Sequence, residues 1–425
     1  MADARPFRAL HYDLEVTGGL DPVTAPPYDV IDPAQRAELA ARSPWNVVRV
    51  DLPEPAGPGG DPYAAAAATF AAWRQEGAVV QDDEPALWAL TQDYAGPDGK
   101  ARTRSGFFAA VRIEDYGPGK VRPHERTHPG PREDRLRLTR ATRANLSPIF
   151  SLYSDPSGSA RGALDEVTAT GPWAAQVDAD GTTNRLWRVP AGAASETLEE
   201  VLGASELLIA DGHHRYETAR VYADEVGGEG PHRYVLMDLV ALEDPGLTVF
   251  PTHRLVSGLS GDVARSQALR AEIERCFEVT ELDSEAELPP DGPAPDGRLQ
   301  FGFLDAAERR PLRLVLRDQA IADEALAGFP EPYRRLDTAV LEALILCGPL
   351  GLSEEDISHL DGLGYSRSDD EALALVGNGF DAAFFLSGVP VGQIREIAAA
   401  GVNMPPKSTF FTPKVPTGLL FHALA

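Results

Sequence analysis

Residues 206–220 gather side chains able to do chemistry: Asp211, Gly212, His213, His214 and Arg215 lie between an apolar run and a helix-forming one. Leu207 to Ala210 predict a short buried strand, Asp211-Gly212 turns the chain, and the composition from Tyr216 onward is helical. A strand that passes through glycine into a helix N-terminus points backbone N–H groups, and the positive end of the helix dipole, at whatever lies above them. Two imidazoles and a guanidinium beside that turn make an anion site. Phosphate is the anion that accounts for Gly212, the histidines, Arg215 and the helix together. The plainer alternative is that one histidine packs and only the other faces a ligand. Neighbouring histidines on a turn diverge, and no cysteine cluster accompanies them, so a metal held by His213 and His214 is disfavoured.

A second segment, His124-Glu125-Arg126-Thr127-His128, spells the H-E-x-x-H zinc-protease pattern. That chemistry needs one helix through both histidines, so that they share a face. Pro123 before the first and Pro129-Gly130-Pro131 after the second work against it, because a residue preceding proline is pushed to extended backbone. The match is read as chance. Glu125, set among Arg122, His124 and Arg126, remains a candidate general base or metal-positioning carboxylate; the bland alternative is a structural ion pair. A third segment, Lys407-Ser408-Thr409, offers a compact cation and two hydroxyls between proline-stiffened flanks, a weak phosphate signature. The chain contains no G-x-x-x-x-G-K-[ST] loop and no G-x-G-x-x-G after a strand, which argues against an ordinary P-loop ATPase, protein kinase or Rossmann dehydrogenase.

Elements must position these residues. Val23 to Val30 is stiffened by Pro26-Pro27, residues 33–42 predict a short helix, and 46–52 predict a strand. A Pro/Gly-rich loop at 53–62 precedes an alanine-rich helix, Tyr63 to Glu76, closed by Gly77. Strands near 86–94 and 104–113 pair as a hairpin around Gly96-Pro97-Asp98-Gly99. Between 120 and 143 eight basic residues face three acidic ones, and a charged helix is predicted from Arg132 to Leu146. That run reads either as a solvated helix face or as a basic wall for an anionic ligand. Residues 154–205 read as an α/β connection, and 233–242 with 247–256 as a pair of strands joined at Glu243 to Gly246. After a Pro/Gly loop at 284–297 come strands near 299–304 and 311–317, and helices near 319–328, 335–347, 369–377 and 391–400.

The chain has 425 residues and a net charge of −26, with 65 acidic against 39 basic side chains. Nucleic-acid binding draws on the opposite balance, as does attachment to an anionic membrane surface, so neither partner is expected. Two cysteines are too few for a disulfide framework, and no apolar stretch suits a signal region or a membrane span; a cytoplasmic location is expected. Lysine occurs only at positions 100, 120, 407 and 414.

Taken together, Val23-Thr24-Ala25-Pro26-Pro27-Tyr28-Asp29-Val30, Pro123 to Thr127, Asp134-Arg135, Asn145 to Phe150, Asp211 to Ala219 and Met404 to Thr409 resemble the bacterial domain-of-unknown-function 1015 family, over nearly the whole chain. The Asp211–Arg215 piece is also similar to the ParB/sulfiredoxin superfamily, whose members bind nucleotide phosphates on such a turn, and its spelling is nearest that of free serine kinases. The resemblance implies an α/β (α+β) fold, a ParB/sulfiredoxin-like mixed-sheet core at 116–260 with α/β elaborations at 1–115 and 261–425. It implies ATP or ADP with Mg2+ as cofactors and a small hydroxyl compound, foremost L-serine, as substrate. Arg122-Pro123-His124-Glu125 matches those kinases' Arg-Pro-x-Glu segment, so Glu125 inherits the role of base and Asp211 that of the partner carboxylate, positioning the metal or the hydroxyl. Gly212, His213, His214 and Arg215 would hold phosphates, with His124, Arg135, Lys407, Ser408 and Thr409 as further nucleotide contacts. The 85 residues between Glu125 and Asp211 exceed the spacing in the compact kinases. The cysteine that sulfiredoxin chemistry needs is missing, and the charge conflicts with the DNA role of ParB. A nucleotide-binding regulator and a nucleotide or phosphoester hydrolase would use the same cradle.

Overall fold

The computed structural model describes residues 2–125, 129–353, 356–357 and 360–425, without the side chains of residues 129–131. They form two compact units. The first comprises Met1–Pro123, Thr127–Leu247 and Pro413–Ala425; the second comprises His124–Arg126 and Thr248–Thr412. The first thus joins most of the expected N-terminal and central regions and adds the C-terminal segment.

A nine-stranded mixed sheet organises the first unit. Its order runs Val121–Arg122, Leu207–Asp211, Ile149–Tyr153, Tyr234–Ala241, Ala101–Arg112, Leu87–Ala95, Thr183–Val189, Ala174–Val177, with Ala4–Arg5 added against Ala101–Arg112. Leu207–Asp211 is parallel to Val121–Arg122, Tyr234–Ala241 is parallel to Ile149–Tyr153, and the other pairings are antiparallel. Tyr234–Ala241 is buried along its whole length, which matches its unbroken apolar spelling around one aspartate. Because side chains alternate across a strand, each strand serves two environments. Phe107, Ala109, Val111, Ile149, Met237 and Leu239 share a core with Leu164, Leu198 and Tyr216 of the covering helices Ser159–Thr168, Ala193–Ala204 and His213–Val226. The intervening positions, among them Gln92, Arg104, Gly106 and Asp238, belong to the opposite face.

Several expectations hold and three need correction. The hairpin 87–95/101–112 turns at Gly96–Gly99, and helices Pro33–Arg42 and Pro62–Gln75 form as the sequence suggests. Residues 46–52, expected as a strand from their valines, instead carry the short helix Val48–Asp51. Asn46 decides this: its side-chain oxygen accepts the Val48 N–H, while its amide donates to the carbonyls of Pro22 and Thr24. The basic helix starts at Pro129 and ends at Thr142, where Arg143 takes a positive φ of 50°. The pair expected from 233–256 does not form. Tyr234–Ala241 lies inside the first sheet, whereas Thr248–Phe250 pairs with Phe410–Thr412 and His253–Val256 joins the second sheet. Hydrophobic alternation marks strands but not their partners.

The second unit is built on six antiparallel strands in the order Phe277–Glu281, Leu312–Leu316, Gln300–Asp305, Ala382–Phe385, His253–Val256, Leu363–Ser366. The helices expected in this region appear at Gln319–Ala325, Asp337–Leu341 continuing to Leu346, Asp369–Leu375 and Val391–Ala399. The whole is a mixed α/β protein. No helix among the described residues is long and apolar enough to cross a membrane.

Candidate functional site

Strand Leu207–Asp211 delivers Asp211 to the mouth of the turn, and helix His213–Val226 begins at once, so His213, His214 and Arg215 occupy its first turn. Gly212 links the two with a φ of 95°. A Cβ there would also lie 3.0 Å from the Arg215 guanidinium carbon, so glycine serves both the left-handed turn and the fold-back of Arg215 across it. Lacking a side chain, Gly212 supplies no side-chain cap to the helix.

Asp211 is held by two cations. Arg215 Nη2 donates to Oδ2 at 2.5 Å, and Lys414 Nζ pairs with Oδ1. Burial favours the neutral acid, but Lys414 and Arg215, with His213 nearby, overcome it and hold the carboxyl well below the usual range. Arg215 also donates to Ser147 Oγ at 2.9 Å and to the Pro148 carbonyl. Thr417 Oγ1 donates to Ser147 in turn, and Thr417 and Ala25 exchange backbone hydrogen bonds. Residues 145–148, residues 23–30 and the C-terminal segment therefore meet around the Asp211 turn within one unit. Beside Arg215 lies a cavity of about 40 Å³ lined by Tyr28, Asp51, Arg135, Asn145 and Ser147, among others, room for water.

Arg135, expected to contact nucleotide, is buried and saturated: it donates to Asp51 Oδ1 at 3.0 Å and the Asp51 carbonyl at 2.8 Å, pairs with Asp134, and stacks on Tyr28. It props the cavity wall.

The opposite face of the sheet carries more charge. Phe150 sits in register with Asp211 on one side and Asp238 on the other, and the buried Arg104 guanidinium lies 4.4 Å over the Phe150 ring. Asp238 is 1% exposed, and neither of its oxygens finds a hydrogen-bond donor among the described residues. Burial pushes its carboxyl up to about 7, against the pull of Arg104.

His124 and Glu125 belong to the second unit, together with Lys407, Ser408 and Thr409. Both follow the strand Val121–Arg122 outside any helix, so no helical H-E-x-x-H site starts here; His128, like Arg126, lies outside the described residues. His124 is buried, with Nε2 2.9 Å from Thr409 Oγ1, and its carbonyl accepts the Met404 N–H. Buried Arg254 donates to the carbonyls of Pro406 and Lys407, fixing a loop in which Lys407 has a φ of 55° and an exposed side chain. Ser408 is buried against Thr338 Oγ1 at 2.9 Å and the Pro405 carbonyl at 2.7 Å, so in this state its hydroxyl serves the loop. Thus Glu125 and Lys407 to Thr409 share one unit, while Asp211 to Arg215 and Arg135 share the other.

Mg2+ at Asp211 does not fit the carboxylate as it stands, because a cationic side chain already faces each oxygen. Nor do the described residues contain a group of three His, Cys, Asp or Glu side chains arranged to hold a metal.

The family described as "Protein of unknown function (DUF1015)" matches residues 4–339, most of the chain. The chain belongs to the DUF1015 family. No curated protein matches it. Among solved structures, similar chains include a conserved hypothetical protein from Pyrococcus furiosus, 17% identical, covering 70% of this chain and 90% of that one with a TM-score of 0.34. A free serine kinase variant in complex with ADP is 13% identical, covering 71% and 89% with a TM-score of 0.36. SbnI from Staphylococcus aureus, truncated at its C-terminus, is 11% identical, covering 72% and 84% with a TM-score of 0.36.

Two features of this DUF1015 site escaped the sequence reading. Lys414 was visible only as one of four lysines, and its meeting with Asp211, 203 positions earlier, is tertiary. Asp238 sits unannounced in an apolar strand; a charged residue inside such a run was the available signal.

Proposed function

We propose that this DUF1015 protein binds a nucleoside di- or triphosphate at the Asp211 turn and transfers phosphate to the hydroxyl of a small molecule, L-serine being the best candidate. The observation that carries this reading is the convergence of Lys414 and Arg215 on Asp211 at the glycine-led start of helix His213–Val226. Two cations against one carboxylate, beside a helix N-terminus, leave a net positive cradle suited to phosphate oxygens. In this reading His213, His214 and the Gly212 backbone complete the cradle, and the role of base that takes the hydroxyl proton is given to Glu125 by the resemblance at Arg122–Glu125 alone. Phosphoryl transfer asks the protein chiefly to position the groups and stabilise charge, which such a set supplies. The sequence resemblance to free serine kinases at Arg122–Glu125 and Asp211–Arg215 supports the choice of acceptor.

The test is incubation of the purified protein with ATP or ADP, Mg2+ and L-serine, followed by mass spectrometry for O-phosphoserine. Formation of O-phosphoserine, and its loss in Glu125→Gln, is the expected result. Inorganic phosphate released without serine would identify a hydrolase. Nucleotide-dependent thermal stabilisation with no turnover on any acceptor would identify a regulator; ligand at 100 times its dissociation constant stabilises by about 2.7 kcal/mol.

A further inference from the structure

We propose that Lys414 is a phosphate-binding residue of this site, and that Asp211 acts by positioning the Lys414 ammonium rather than as a ligand of a metal ion. The inference deepens the nucleotide reading and rests on it for the identity of the phosphate donor. Three observations carry it. First, each oxygen of the Asp211 carboxylate already faces a cation, Lys414 on Oδ1 and Arg215 on Oδ2, so a metal ion there would meet two positive charges in a part-buried ion-pair cluster. Second, Lys414 is built in. Its carbonyl accepts from Gln92 Nε2 at 3.3 Å, and the preceding Pro413 carbonyl accepts from buried Arg104 Nη2 at 2.7 Å. Gln92 and Arg104 are themselves hydrogen-bonded across neighbouring strands and almost wholly buried, so the sheet interior fixes the backbone that presents Lys414. Third, the Lys414 side chain keeps 24% exposure although Gln92 and Arg104, which anchor its backbone, are almost wholly buried, so the side chain that reaches Asp211 is not sealed into the sheet interior.

An ammonium has three donors. One serves Asp211; the others are available to phosphate oxygens, and the ion is compact enough to touch both partners. Arg215, folded across Gly212 and tied to Ser147 and Pro148, is the more committed of the two cations. Arg104 adds to the same field, since its charge acts on Asp211 as well as on Asp238.

The experiment titrates wild type, Lys414→Met, Lys414→Arg and Asp211→Asn with ADP and with pyrophosphate, by calorimetry, with Mg2+ and again with EDTA. Loss of one charge-assisted contact predicts about a ten- to hundredfold weaker affinity in Lys414→Met. Partial recovery is expected in Lys414→Arg, and a loss in Asp211→Asn that is equal with Mg2+ and with EDTA. Unchanged affinity in Lys414→Met, or an Asp211→Asn defect seen only with Mg2+, overturns the proposal. A wild type that binds pyrophosphate but no nucleotide defeats the nucleotide reading while leaving Lys414 to be judged on pyrophosphate. A wild type that binds neither defeats both.

Should a variant fail to fold, acetylation of the wild-type protein followed by mass spectrometry decides the matter. With four lysines in the chain, ADP or pyrophosphate is expected to protect Lys414 and to leave Lys100, exposed in the hairpin turn, reacting as before. Equal labelling of Lys414 with and without both ligands overturns the assignment.

Discussion

Asp238→Asn tests whether a buried carboxylate with no hydrogen-bond donor among the described residues governs the pH dependence of stability. In the folded protein the Asp238 carboxyl is pushed up to about 7, because burial disfavours its charged form more than Arg104 restores it. In the unfolded chain it returns to about 3.9. The folded state therefore binds this proton more tightly than the unfolded state does. The stabilisation is complete below about pH 4 and is lost as pH climbs through about 7, amounting to about 4 kcal/mol across the window. The sequence pI of about 4.7 makes work at the acid end prone to precipitation. About 2 kcal/mol of the loss still develops between about pH 5.5 and about pH 8.5. Asparagine keeps the shape and removes the titration, so wild type should weaken relative to Asp238→Asn by that amount over that range, whatever the offset between them. Urea unfolding followed by tryptophan fluorescence is the assay, since Trp45, Trp73, Trp88, Trp173 and Trp187 all lie in the unit that holds Asp238. A difference between the two proteins that stays constant from pH 5.5 to 8.5 would refute the reasoning.

Further expectations follow from burial elsewhere. His422 is held down to about 4 by burial, so its contribution is full above about pH 6.5 and is lost as pH falls through about 4. His422→Gln should remove about 1.5 kcal/mol of the acid destabilisation between about pH 6.5 and about pH 5, read by the same fluorescence titrations. Gly302→Ala would place a Cβ 2.1 Å from the Leu288 carbonyl oxygen, a backbone atom with little freedom to give way. A loss of about 1–3 kcal/mol or more is expected by circular dichroism in urea, and wild-type stability would contradict the packing. Cys276 is buried, and burial together with Glu272 pushes its thiol up to about 11, whereas Cys347 is exposed. Ellman's reagent at pH 8 should titrate one thiol in the native protein and both in urea; two fast-reacting native thiols would contradict this placement.

Local patterns determined the strand–glycine–helix turn at 207–226, the 87–112 hairpin, most helices and the non-helical backbone at His124 and Glu125. Each depends on interactions spanning a few residues: alternation of apolar side chains, glycine at a positive φ, proline beside the first histidine. Tertiary structure decided what those patterns carry no information about. It placed Tyr234–Ala241 in one sheet and His253–Val256 in another, because strand pairing is a choice among distant edges. It turned residues 48–51 from strand to helix through the buried amide of Asn46. It drew Arg135 into a structural ion pair with Asp51, and it brought Lys414 to Asp211. Charge partners are chosen by distance in space, and a carboxylate and an ammonium 203 positions apart carry no mark of their meeting in the spelling of either segment.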